Sequence, residues 1–139
     1  MMKLSSEQLQ LISMLEQNSG VQAVDALAAP ESIVFVVKQG DLGRAIGKNA
    51  SNLERLERKF GRRVEFVEFD SDLNGFLKNL FKPVALENVE FNENAGGQTV
   101  VLKVDFKNKG LAIGRGGSKI NRARELVKRH FGIAELKIL

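Results

Sequence analysis

Cysteine is missing from all 139 residues, which excludes disulfides and thiolate metal sites and fits a cytoplasmic setting. Histidine occurs once, as His130, and no Cys–His or Ser–His–Asp constellation can be assembled around it. It reads as a helix-end residue, and no cluster of metal ligands appears. The expectation is therefore no enzyme, no cofactor and no metal. No apolar run approaches the ~20 residues needed to span a bilayer. The opening MMKLSSEQLQL lacks an unbroken apolar core and a small-residue cleavage site, so neither a signal peptide nor a membrane role is expected. Low-complexity stretches are absent as well.

What remains is an ordinary globular composition, 43% hydrophobic and 27% charged, of a length that suits one domain or two small ones. The formal net charge is +4 and the pI is near 9.5. That excess is unevenly placed. Residues 1–70 carry 9 basic and 10 acidic side chains, whereas residues 71–139 carry 12 and 7. Attraction for a polyanion therefore belongs to the second half.

Within that half the stretch from Asn108 to Phe131 stands out. A short apolar segment leads to Gly114-Arg115-Gly116-Gly117 and then to a basic amphipathic helix. Three glycines in four residues leave main-chain N–H groups with almost no side chain in the way. The helix that follows adds its own unpaired N–H groups and the positive end of its dipole, which together invite a phosphate. Lys107, Lys109, Arg115, Lys119, Arg122, Arg124, Lys128 and Arg129 face only Glu125 in charge, a balance that suits a polyanion better than one small ligand.

The same pattern occurs earlier in the chain. Sliding the sequence by 67 residues lays Ala45-Ile46-Gly47-Lys48 over Ala112-Ile113-Gly114-Arg115, with Ser51 over Ser118 and Leu53 over Ile120. The offset then becomes 71, because the second helix is one turn longer, and Phe60-Gly61 meets Phe131-Gly132. The neighbouring elements repeat too. Leu4 to Asn18 reads as a helix with a Ser5/Gln8 capping box, a Leu4–Leu9 staple and a stripe of Leu11, Ile12 and Leu15. Asp72 to Phe81 is its counterpart, with Phe76 and Phe81 as core. Strand-like runs follow at Val21–Leu27 and Ile33–Lys38, and at Val84–Asn92 and Gln98–Phe106 around a hairpin turn. A one-turn helix, the glycine turn, a longer helix and a last strand (Val64–Phe69, Ile133–Leu139) complete each half.

The expected fold class is α+β, with units at 1–70 and 71–139 that meet near Asp70-Ser71 without a flexible linker. Units of ~70 residues bury little core alone, so the two are expected to pack rigidly together.

Ile113-Gly114-Arg115-Gly116-Gly117 followed by the helix from Ser118 resembles the Ile-Gly-x-x-Gly signature of KH domains, whose loop clamps the backbone of about four nucleotides. One strand after the long helix makes the match the type II arrangement. Two tandem type II units, each α-β-β-α-α-β, are similar to the paired KH domains of NusA transcription factors. Bacterial members carry an extra N-terminal domain and an S1 domain, for which this chain has no room. The closer resemblance is to compact archaeal NusA-like proteins. It implies a monomeric, cytoplasmic, single-stranded RNA-binding factor of transcription elongation, termination or antitermination, with RNA polymerase as a partner.

On that resemblance Ile113 and Ile120 give apolar contact to unpaired bases, while Arg115, Lys119 and Arg122 meet phosphates beside Gly114, Gly116, Gly117 and Ser118. In the first copy Ile46, Gly47, Lys48, Asn49 and Ala50 play the same part more weakly. Alanine stands there where the fourth-position glycine belongs, and it resists positive φ. The absence of Trp and Tyr argues against aromatic stacking platforms.

Two other readings are distinguishable. The same fold could serve ribosome assembly or other RNA metabolism. A nucleotide-hydrolysing enzyme would need four residues between the Walker glycines and then Lys-Ser/Thr. Gly43 to Gly47 encloses three, and Asn49 replaces the hydroxyl residue.

Overall fold

Ser5 starts the first helix as its capping pattern predicts. Its Oγ accepts a hydrogen bond from the Gln8 N–H at 3.1 Å, and its own N–H donates to Gln8 Oε1 at 2.8 Å. Gln8 also donates to the Ala26 carbonyl at 2.8 Å and so ties the helix to a strand. In the computed structural model, which describes residues 3–139, this helix α1 (Ser6–Ser19) belongs to a compact unit that extends to Asp70. Leu11 and Leu15 are buried, whereas Leu9, expected to staple the helix, is 53% exposed.

The rest of this unit comprises β1 (Ala23–Ala28), β2 (Ser32–Val37), α2 (Leu42–Ile46), α3 (Ser51–Phe60) and β3 (Arg63–Glu68). Strand β2 is central; it pairs antiparallel with β1 and parallel with β3. Its run Ile33-Val34-Phe35-Val36-Val37 is buried throughout, and Ile33, Phe35 and Val37 join Leu11, Leu15 and Leu56 in the core. Phe35 anchors the core, 5.7 Å from the Phe60 ring and 6.0 Å from the Phe66 ring. Each such buried side chain contributes about 1.5–3 kcal/mol.

A second compact unit covers Ser71 to Leu139. It contains α4 (Leu73–Phe81), β4 (Asn88–Asn94), β5 (Gly97–Lys103), α5 (Lys109–Ile113), α6 (Ser118–Phe131) and β6 (Glu135–Ile138). Strand β5 is central, antiparallel to β4 and parallel to β6. Asp72 caps α4 by accepting from the Gly75 N–H at 3.2 Å. Phe76, Leu77, Leu80 and Phe81 are buried with Leu126 and Val127 of α6. Phe76 packs on Phe131 at 5.6 Å and meets the His130 ring edge-on at 6.0 Å, so the lone histidine closes the core at a helix end.

Two strand boundaries differ from expectation by three residues or more. Strand β4 begins at Asn88 and not at Val84, because the Val84 N–H donates to the Phe81 carbonyl at 2.8 Å and turns the chain off α4. Strand β5 ends at Lys103 and not at Phe106. Asp105 there accepts from the Lys107 N–H at 3.1 Å and starts a short 3-10 turn over Phe106–Asn108.

Candidate nucleic-acid interface

The second unit builds its glycine turn from hydrogen bonds at both ends. Helix α5 stops where the Gly114 N–H donates to the Gly110 carbonyl at 2.9 Å. The Gly117 N–H then donates back to the Gly114 carbonyl at 3.1 Å. Gly114 takes φ 78°, ψ 169°, and a Cβ added to it would lie 2.8 Å from the Lys119 main-chain nitrogen. Only glycine allows that approach. Gly116 (φ 62°) and Gly117 (φ 78°) hold positive φ for a different reason, the reversal into α6. A Cβ at Gly116 would meet nothing within 4 Å, so its main chain faces open space. The Ser118 N–H donates to the Arg115 carbonyl, and no side chain caps the start of α6 beyond it.

The first unit traces nearly the same path. Gly47 has φ 78°, ψ 171°, and Asn49 (φ 54°) and Ala50 (φ 59°, ψ 22°) repeat the positive values of Gly116 and Gly117. The expected resistance of alanine is overcome locally. Ala50 adopts the left-handed conformation at a cost of about 1–2 kcal/mol.

Beside the second turn lies a groove of about 510 Å³ between α6 and the edge strand β6. Ile113, 38% exposed, stands at its mouth. Ile120 also lines it but is only 6% exposed, so it serves as core and groove floor together. Asn121, Arg124, Lys137 and Ile138 complete the wall. Arg124 Nε donates to the Leu136 carbonyl at 3.0 Å, and its Nη1 donates to Asn121 Oδ1 at 3.1 Å. These bonds fix helix and strand edge in register. A wider cleft of about 810 Å³ continues along α6 past Asn121 and Arg124 towards Lys128 and Arg129.

The expected phosphate cations are not equivalent. Arg115 is exposed, and its side chain makes no hydrogen bond or ion pair among the described residues. Lys119 Nζ donates to the Lys82 carbonyl at 2.6 Å, below the end of α4. Arg122 is half-buried, its Nε enclosed by protein, and it makes contacts within the protein. Ser118 is exposed at the first turn of α6. In the first unit Lys48 and Asn49 are exposed on the turn, and Ile46, Gly47 and Ala50 are half-buried.

Sequence reasoning missed Asn121, Lys137 and Ile138 and counted Arg124 only as one of the cations along the helix. The spacing Gly117, Asn121, Arg124 places all three on one helix face, a signal available beforehand. Phe106 was placed at the end of a strand. It lies in the turn after β5 and is 83% exposed, with Lys109 Nζ 5.7 Å from its ring centre. Among the described residues no group of acidic or histidine side chains is placed to hold a metal ion, and no helix is long and apolar enough to cross a membrane.

A mixed α+β fold carrying such a turn between two helices defines the class. The family model described as KH domain matches residues 11–96, and the chain belongs to the KH domain family. The matched stretch contains the first turn, Gly47–Ala50. Its relatives are more particular. The protein is 35% identical to the probable transcription termination protein NusA of Methanococcus vannielii, over 99% of this chain and 79% of that one. It is 38% identical to the protein of the same name from Halobacterium salinarum, over 98% and 97%. The crystal structure of APE1850 superposes with a TM-score of 0.86 at 35% identity, covering 98% of this chain and 100% of that chain.

Proposed function

We propose that this protein is a single-stranded RNA-binding factor of transcription elongation and termination, of NusA type, and not an enzyme. On this reading residues 1–70 and 71–139 are tandem type II KH domains. The strand's sugar–phosphate backbone crosses the Gly114–Gly117 turn, and its bases enter the groove between α6 and β6. The main-chain N–H groups at the turn and at the start of α6 receive a phosphate, and Arg115 supplies the unengaged positive charge. Ile113 and Ile120 give the apolar floor, while Asn121 and the exposed edge of β6 offer hydrogen bonds to base edges. RNA polymerase is the protein partner this reading implies.

The observation that carries the proposal is the open main chain at Gly116 beside an exposed, unpartnered Arg115. The relatives' names support the transcriptional assignment. Affinity capture with the whole chain tests that assignment. Recovery of RNA polymerase supports it, and recovery of ribosomal particles with no polymerase contradicts it.

A further inference from the structure

The two units share a turn but not a groove. Counting from the glycine turn, Asn121 and Arg124 of α6 correspond to Glu54 and Glu57 of α3. The edge strands differ in the same sense. Lys137 of β6 pairs with Val101, whereas Glu65 of β3 pairs with Val34, and the two valines hold the same place in the repeat. Three carboxylates thus stand where the second unit has an amide, a guanidinium and an ammonium.

Their local bonding strengthens the contrast. Glu57 Oε2 accepts from the Val64 N–H at 3.0 Å, which occupies a main-chain donor of the first unit's strand edge. The Glu54 side chain is exposed and makes no hydrogen bond or ion pair among the described residues; Arg58 lies one turn along the same helix. Arg62 and Arg63 line the same cleft, but Arg62 Nη1 is held by the Ala29 carbonyl at 3.1 Å and Arg63 Nη2 by Glu65 at 3.1 Å. Arg58 and Arg62 keep their charge there and face Glu31, Glu54 and Glu57. A phosphodiester strand leaving the first turn would run against carboxylates at the first two turns of α3.

We infer that Glu54 and Glu57, with Glu65 holding Arg63, exclude single-stranded RNA from the groove of the first unit, so that nucleotide recognition is confined to the second. This rests on the RNA-binding reading above. The alanine in the first turn is not the cause, since Ala50 holds the same left-handed backbone as Gly117. Lys48 and the Gly47 turn remain able to touch a phosphate, but the nucleotides that follow are turned away.

Photo-crosslinking of the whole chain to a pool of randomised short RNA containing 4-thiouridine tests this, with the crosslinked peptides mapped by mass spectrometry. Crosslinks are expected in residues 113–138, with roughly a tenth of that yield or less in residues 46–68. Glu54→Lys, at an exposed position, and Glu54→Lys/Glu65→Lys, which leaves the Glu57–Val64 bond intact, should each raise the yield in 46–68. For the double variant the rise should be about tenfold, the order expected from removing like charges near a surface. Equal labelling of both units in the unaltered protein would overturn the inference and leave the RNA reading standing. Failure of both folded variants to gain crosslinks would also overturn it. No crosslink anywhere would overturn the RNA reading itself.

Discussion

Ala50 holds φ 59°, ψ 22° at the position where Gly117 holds φ 78°, ψ 12°, so one turn geometry is imposed on two residues of unequal tolerance. The hydrogen bonds that impose it are the same in both units. Gly47 N–H donates to Gly43 and Ala50 N–H to Gly47, as Gly114 N–H does to Gly110 and Gly117 N–H to Gly114.

Ala50→Gly should therefore stabilise the first unit. Relief of the left-handed strain, about 1–2 kcal/mol, is partly offset by the extra unfolded-state freedom of glycine. A net gain of about 0.5–1 kcal/mol is expected in urea unfolding, and a loss would contradict the strained geometry.

The glycines of the second turn should respond unequally to a methyl group. At Gly114 the added Cβ meets the Lys119 nitrogen at 2.8 Å, and main chain cannot give way cheaply. Gly114→Ala should cost roughly 3 kcal/mol. Gly116→Ala meets open space and bears only the backbone strain, about 1 kcal/mol. Paired chemical denaturation curves read the difference directly.

Arg115 and Lys119 should separate binding from stability. Arg115→Ala should weaken RNA binding evenly across sequences and lower the slope of log K against log salt by about 0.7. Lys119→Ala removes the bond to the Lys82 carbonyl and should lower stability by about 1 kcal/mol. Salt titrations of RNA binding, run beside thermal melts, check both.

Asn121→Ala should relax base preference while leaving the salt slope unchanged, because a neutral amide at the groove wall carries no counterion. Selection of bound sequences from a random RNA pool, compared with the unaltered protein, reads this. An unchanged preference would move base recognition elsewhere.

Much of this was legible because it is local chemistry. The Ser5–Gln8 cap, the Asp72 start of α4 and the glycine turns are each set by residues within a few positions of one another, and the repeat doubles every signal. The misplaced boundaries have equally local causes in hindsight. Val84 is buried as a turn residue, so an apolar residue after Pro83 looked like the start of a strand. The groove was harder to see. Arg124 meets Leu136 only because β6 returns beside β5 in a fixed register, and nothing near Arg124 in the chain announces that neighbour. The contrast between Glu57 and Arg124 acquires meaning only once both strand edges are in place.

The most direct measurement is the RNA affinity of Arg115→Asp/Gly116→Asp, taken together with its unfolding midpoint. Arg115 is exposed, a Cβ at Gly116 would meet nothing within 4 Å, and aspartate tolerates the left-handed backbone better than most residues. Affinity should fall by roughly a hundredfold or more, the loss of about 3 kcal/mol of charge-assisted contact, with the midpoint lowered only by the few degrees that about 1 kcal/mol of backbone strain costs. Undiminished affinity in the folded variant would contradict a phosphate grip at the Gly114–Gly117 turn.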